Sequence, residues 1–289
     1  MRIYLFVDIH GNEYALDACL KHSQSIKADR IYCLGDLVGW LPFGDRTLTR
    51  MRTHGFPTVA GNHDLLVAGL FADDPRNLDR IQASAYNAGL LSTVSGSIDY
   101  LLNLPLKIEK DLFIIVHHSP FHLPQTGDSP TIQCFGYLTP PVLESCIDAW
   151  SAYPKQIIFS GHDHVPGVYE LPAGVKLSTQ KRIKIHTPPA GRKLTIRLNP
   201  DSKYWVKAGS VGGPYRDRVP VANAVLYDTT EETITLFRLP FPTGRLYREL
   251  SSHFFASTLP TVQDYLALLA LHVPKDSPAR RSGVRNSKT

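Results

Sequence analysis

The sequence predicts an α/β fold with two sheets, and three observations carry that expectation. Short, wholly apolar segments alternate with helical patterns through the first 160 residues, as in buried, mainly parallel strands. After residue 164 the pattern becomes alternating apolar and polar, as in antiparallel strands with one solvated face. No linker composition and no internal repeat separates the two parts.

The elements follow in order. Ile3–Val7 is an apolar strand stopping at Asp8, and Asn12 is placed to cap a helix with Leu16, Cys19 and Leu20 on one face. Ile31–Leu34 is a second short strand ending at Gly35, Asp45–His54 fits a helix, and Pro57–Ala60 a third strand ending at Gly61. Helical spacing recurs over Asp79–Leu91, Ile98–Leu102 and Val142–Trp150, with apolar strands at Leu112–Val116 and Gln156–Ser160. Val175–Ile185 and Lys193–Leu198 alternate around the turn-forming Thr187–Gly191 and predict a β-hairpin, an insertion near 171–203. Val221–Tyr227 and Thr233–Arg238 read as antiparallel strands, and Val262–His272 as a last helix. One domain over 1–273 is expected, followed by a basic, disordered tail over 274–289.

That tail decides how the charge is read. Lys275, Arg280, Arg281, Arg285 and Lys288 against Asp276 account for four of the five net positive charges, leaving a near-neutral body. A nucleic acid partner is therefore an option for the tail alone, and a solvated tail is the favoured reading. No apolar run is long enough to cross a bilayer. Because Asp8 and His10 directly follow the first apolar stretch, no signal peptide is expected, and the chain reads as cytoplasmic. Cys19, Cys33, Cys134 and Cys146 form no CxxC pair and read as reduced structural thiols. Nothing in the pattern fixes an oligomeric state.

Chemistry concentrates where strands end. The first strand delivers Asp8-Ile-His10-Gly-Asn12, the second Gly35-Asp36, the third Gly61-Asn62-His63-Asp64. Later strands deliver His117-His118 and Gly161-His162-Asp163-His164. Parallel strands share one carboxyl edge, which is where α/β sites lie. Carboxylates with neutral imidazoles suit borderline cations, manganese, iron, zinc or nickel, better than calcium or magnesium. Two carboxylates, one amide and four histidines exceed the needs of one open ion and match two, with one carboxylate shared between cations roughly 3.5–4 Å apart. Singly each motif has a bland reading, such as a helix cap or a turn; together, each at a strand end, they point to metal.

These blocks resemble the calcineurin-like metallophosphoesterases, whose signature is Asp-Xaa-His, Gly-Asp, Gly-Asn-His-Asp/Glu, a lone His, and Gly-His-Xaa-His. Gly35–Trp40, Pro57–Asp64 and Ala208–Pro214 are most similar to the compact bacterial and archaeal phosphodiesterase branch, and the likeness spans roughly residues 1–240. The resemblance implies a four-layer α/β/β/α sandwich of two mixed sheets. By motif it implies Asp8, His10 and His164 on one ion, Asn62, His117 and His162 on the other, and Asp36 bridging. It leaves His63 to meet a phosphoryl or leaving oxygen and Asp64 to orient His63. His117 and His118 are adjacent, so only one is expected to coordinate; His118 and Arg216 are candidate substrate contacts. Asp163 stands where the family often has Thr, and Lys207-Ala-Gly-Ser210 where it has Asn-Pro-Gly-Ser.

The implied activity is in-line attack of a metal-bridging hydroxide on a small, nucleotide-like phosphodiester, with manganese the favoured metal. Because ligand imidazoles must be neutral, activity is expected to fall under mildly acidic conditions. A phosphomonoesterase or phosphoprotein phosphatase is the alternative, disfavoured because Gly35–Trp40 lacks the Asp-Arg-Gly extension of the latter. A non-catalytic protein-binding scaffold is a third reading, disfavoured because no ligand position and not His63 has been lost.

Overall fold

The computed structural model describes residues 1–125, 127–173 and 183–273. The basic tail and the first part of the expected hairpin, 175–182, lie outside them. In chain order the first elements are β1 (Arg2–Phe6), α1 (Glu13–Ser25), β2 (Arg30–Cys33), α2 (Gly44–His54), α3 (Asn62–Val67), α4 (Leu78–Ser92) and α5 (Ser97–Leu102). Then come β3 (Lys107–Glu109), β4 (Phe113–Val116), α6 (Pro140–Ser145), α7 (Ile147–Ala152), β5 (Ile157–Ser160), β6 (Pro166–Leu171) and β7 (Lys184–His186). The last are β8 (Leu194–Arg197), β9 (Lys203–Ala208), β10 (Ala222–Asp228), β11 (Thr233–Leu239), α8 (Thr243–Ser251), α9 (Phe255–Thr258) and α10 (Pro260–His272).

The strands form two mixed sheets, ordered β2-β1-β10-β11-β8 and β3-β4-β5-β9-β6-β7. In the first, β1 and β2 run parallel and the other neighbours antiparallel; in the second, β4, β5 and β9 run parallel. Strand periodicity sorts the apolar side chains into three separate cores. Ile3, Leu5 and Val7 meet Ile115, Phe159 and Val206 between the sheets. Tyr4 and Phe6, from the opposite face of β1, pack with Leu16, Leu48 and Leu269 under the helices of the first sheet. Ile114, Ile158 and Trp205 pack with Leu143, Ile147 and Trp150 under α6 and α7 on the far side. Three cores between four layers make an α/β/β/α sandwich. Helix α1 begins as its sequence dictates: the Asn12 side chain accepts the Ala15 amide at 3.1 Å.

Several expectations are corrected. The third strand shrinks to a single bridge between Cys33 and Thr58, because Pro57 has no amide to donate and the Ala60 amide turns away to the Pro105 carbonyl. The helix expected over Val142–Trp150 is two, α6 and α7, broken where the Cys146 amide is shared between the Val142 and Leu143 carbonyls. The two strands expected to form a hairpin across Thr187–Gly191 do not pair with each other: β7 pairs with β6, and β8 pairs with β11 in the other sheet. Alternation reveals a strand but not its partner, and the two prolines of that turn carry the chain from one sheet edge to the other.

Candidate metal centre

The donor side chains of the strand-end motifs converge at one edge of the two sheets. Asp8 and His10 follow β1, Asp36 follows β2, Asn62 opens α3, His117 follows β4, and His162 and His164 follow β5. All seven are buried. Asp8, His10, Asp36, His162 and His164 have positive φ, between 50° and 68°. Left-handed backbone is costly for such residues and concentrates at functional sites. Gly61 is required by close approach: a Cβ there would lie 2.1 Å from Asp36 Oδ1.

Three donor groups are each compact enough to hold an ion: Asp8, His10 and His164; His10, Asp36 and His63; Asp36, His117 and His162. Asp36 Oδ2 lies 3.5 Å from His10 Nε2 and 3.3 Å from His117 Nε2. Asn62 Oδ1 lies 3.2 Å from His117 Nε2, and Asp8 Oδ2 lies 3.8 Å from His164 Nε2. Behind the cluster, Nδ1 of His10, His117 and His164 faces the carbonyls of Val38, Leu34 and Pro214 at 3.3, 2.7 and 2.9 Å. Donation from Nδ1–H fixes the tautomer and turns each Nε2 into the cluster.

That arrangement fits metal. The Nε2 atoms of His10 and His164 approach to 3.2 Å. With both Nδ1 protons committed to carbonyls, two lone pairs face each other there, a repulsive pairing unless a cation takes them both. Nε2 of His162 is buried without a hydrogen-bond partner, which a cation would also supply.

Titration behaviour has the same sense. Burial holds His10 and His162 well below the ordinary imidazole value and brings His164 down to about 3, leaving all three neutral. His117 differs: although burial opposes charge, the Asp36 and Asp8 carboxylates hold its imidazolium up to about 10. Burial would raise Asp36 too, but the imidazoles of His117 and His63 keep its carboxyl well below the usual range, whereas burial drives Asp8 well above it.

His63 sits beside the cluster, its ring centroid 4.6 Å from that of His10, and its amide donates to Asp36 Oδ1 at 2.8 Å. Its Nδ1 is buried without a partner. Gly39, at φ 105°, makes room for it, since a Cβ there would lie 2.7 Å from the His63 Cβ. Asp64 does not touch the His63 ring. Its carboxylate accepts the amides of Asp36 and Leu37 at 2.8 Å and of Gly61 at 3.0 Å, so it braces the loops after β2 and before α3. His118 does not line the cleft over the donors: together with His117 it lines a small neighbouring pocket with Leu123 and Phe135, its ring centroid 5.5 Å from that of His162. Arg216 does line that cleft. Asp163 neither faces solvent nor joins the donors; it is buried in an ion pair with Lys207.

Sequence reading did not single out several residues of the cleft, Arg80 and Tyr137 among them. Arg80, from α4, lines it and is held by an ion pair with Asp73. Tyr137, in a loop, stacks on His162 with ring centroids 5.2 Å apart and planes 21° apart. A lone Arg on a helix and a lone Tyr in a loop carry no signal of type or spacing.

Comparison with known proteins agrees with this geometry. The family model for the calcineurin-like phosphoesterase superfamily domain matches residues 1–231. An uncharacterized protein of Methanocaldococcus jannaschii is 27% identical over 252 residues, covering 86% of this chain and 91% of the relative. Among solved structures, a metallophosphoesterase from Sphaerobacter thermophilus superposes with a TM-score of 0.68 at 25% identity, covering 94% of this chain and 100% of that one.

Proposed function

Because this chain belongs to the calcineurin-like phosphoesterase superfamily and is a metal-dependent phosphoester hydrolase, we propose that it is a phosphodiesterase for a small, nucleotide-like substrate, working with two divalent cations. Manganese is the favoured metal, with iron, zinc or nickel suited to the same donors. Asp8, His10 and His164 would hold one ion, and Asn62, His117 and His162 the other. The observation that carries the reading is the Asp36 carboxylate, whose Oδ2 lies between His10 and His117 of two different donor groups. It is placed to be shared.

Bound there, the cations would supply Lewis acidity toward phosphoryl oxygens and lower the pKa of a water. The chain's own residues do the rest. His63, at the cleft, donates a hydrogen bond or proton to an oxygen on which charge grows. Its pKa is lowered by burial in the free protein, and an anionic phosphate beside it would favour its charged form. Arg216 and Arg80 oppose the substrate's negative charge from the rim, and Trp40 and Tyr137 wall the cleft against water. The two rim arginines also favour a second reading, a phosphomonoesterase, since they would meet an additional charge.

The test is His63→Ala with bis-aryl and mono-aryl phosphates and added manganese. Diester turnover should fall by about 10²–10⁴, with manganese retained at about two per chain. Full activity in the variant would show that His63 has no such role. Faster monoester than diester turnover in the parent enzyme would favour the alternative, and turnover of neither would favour a scaffold. A cytoplasmic location is in keeping with four free cysteines. No described helix is long and apolar enough to cross a membrane.

A further inference from the structure

Next to the metal cleft lies a second pocket of different character. Tyr137 and Arg216 line both and form the partition between them, the Arg216 guanidinium 5.4 Å from the Tyr137 ring and its Nη2 donating to the Tyr137 hydroxyl at 3.1 Å. Tyr137 also stacks on His162, so one ring touches the donor cluster and the second pocket together. The other walls are mostly apolar or aromatic: Leu138, Pro140, Val165 and Tyr169, with the Thr139 side chain among them. Within this wall sits a buried ion pair, Asp163 with Lys207. The Leu138 backbone engages both, its amide donating to Asp163 Oδ1 at 3.2 Å and its carbonyl accepting from Lys207 Nζ at 2.7 Å. Lys207 lies 5.4 Å from the Tyr169 ring. Asp163 and Lys207 stand at the two places where the sequence departs from the family pattern. Forty-four residues apart in the chain, they are partners in space.

We propose that this pocket is a subsite for the heteroaromatic base of a nucleotide whose phosphate lies in the metal cleft. A flat ring gains from aromatic and apolar walls, and a base, unlike a plain aryl group, carries acceptors that the Arg216 guanidinium on the partition can meet with its remaining N–H groups. The partition shared by the two pockets places base and phosphate on either side of the Tyr137–Arg216 pair. The assignment rests on the phosphodiesterase reading, and its test is kept separate from turnover.

Binding of thymidine 5′-monophosphate and ribose 5-phosphate to the manganese-loaded protein is measured by calorimetry, in the parent and in Thr139→Trp, which fills the pocket from an exposed position. The parent should bind the nucleotide about tenfold more tightly than the sugar phosphate, and the variant should bind both alike. Val165→Phe, which fills the pocket from another wall, should repeat the result. Equal affinities in the parent, or a preference that survives both substitutions, would overturn the subsite. A parent that prefers the nucleotide but cleaves no phosphodiester would leave the subsite standing and remove the activity proposed above.

Discussion

At the scale of single residues, His117 is the group on which protons and cations compete. The other cluster imidazoles are kept neutral by burial, so the competition between protons and cations that would weaken activity in mild acid falls on His117. His117 instead carries a proton up to about pH 10 in the metal-free protein, held by Asp36 and Asp8 against the cost of burial. Its folded pKa is raised, so its contribution to metal-free stability is complete below the ordinary imidazole value. It is lost as the pH climbs through about 10. Loading manganese at neutral pH should release protons from His117 and from the Asp8 carboxyl that burial holds above its usual range, measured by calorimetry in buffers of different ionisation enthalpy; no release would place His117 outside the metal sphere. Residue chemistry is also where the sequence was most legible. Asp8, His10, Asp36, Asn62, His117, His162 and His164 declared themselves by type and by position at strand ends, and the structure brings them together. The Asp163–Lys207 pair did not, because neither residue names its partner.

At the scale of elements, the loops that carry the donors are tied to one another rather than each standing alone. Asp64, from α3, receives three amides from the Gly61 and Asp36–Leu37 turns. Its own pKa is driven up to about 7 by burial and the nearby Asp36 charge, a cost that those amides oppose. Asp64→Ala strands three buried donors at about 1–3 kcal/mol each. We therefore expect manganese retention after dialysis to fall at least tenfold, about 1.4 kcal/mol, although Asp64 is no ligand. If instead turnover fell with metal content intact, Asp64 would act through His63. Elements with strong apolar runs or capping residues, such as β1, α1 and β5, were readable. β3, β6 and β9 were not, and neither were α3, α8 and α9. Helix α3 hides because its first turn is the metal motif itself, whose Asn-His-Asp reads as a loop. Helix α9 is a single turn ahead of Pro260, where local pattern is weak. Helix α8 does carry an amphipathic pattern, with Leu246 and Leu250 buried one turn apart, but Pro242 and Gly244 at its start suggest a loop.

At the scale of the whole molecule, the chain does not finish one sheet before starting the other. It lays down β1 and β2, moves to the second sheet for β3 to β7, returns for β8, crosses again for β9, and closes the first sheet with β10 and β11. Two sheets and two helical layers follow from periodicity; this weaving does not, because strand order depends on long-range pairing that no local pattern encodes. β1, which presents Asp8 and His10, is flanked by β2 on one side and β10 on the other. Every donor residue is therefore synthesised by His164, yet the strand that seats the first two arrives only at Ala222–Asp228. A nascent chain halted on the ribosome after residue 215 carries all the ligands and lacks their frame. Such a fragment, made on its own, should retain no manganese on gel filtration, while a fragment ending at 273 should retain it; equal loading of the two would mean that the centre assembles without its last neighbour.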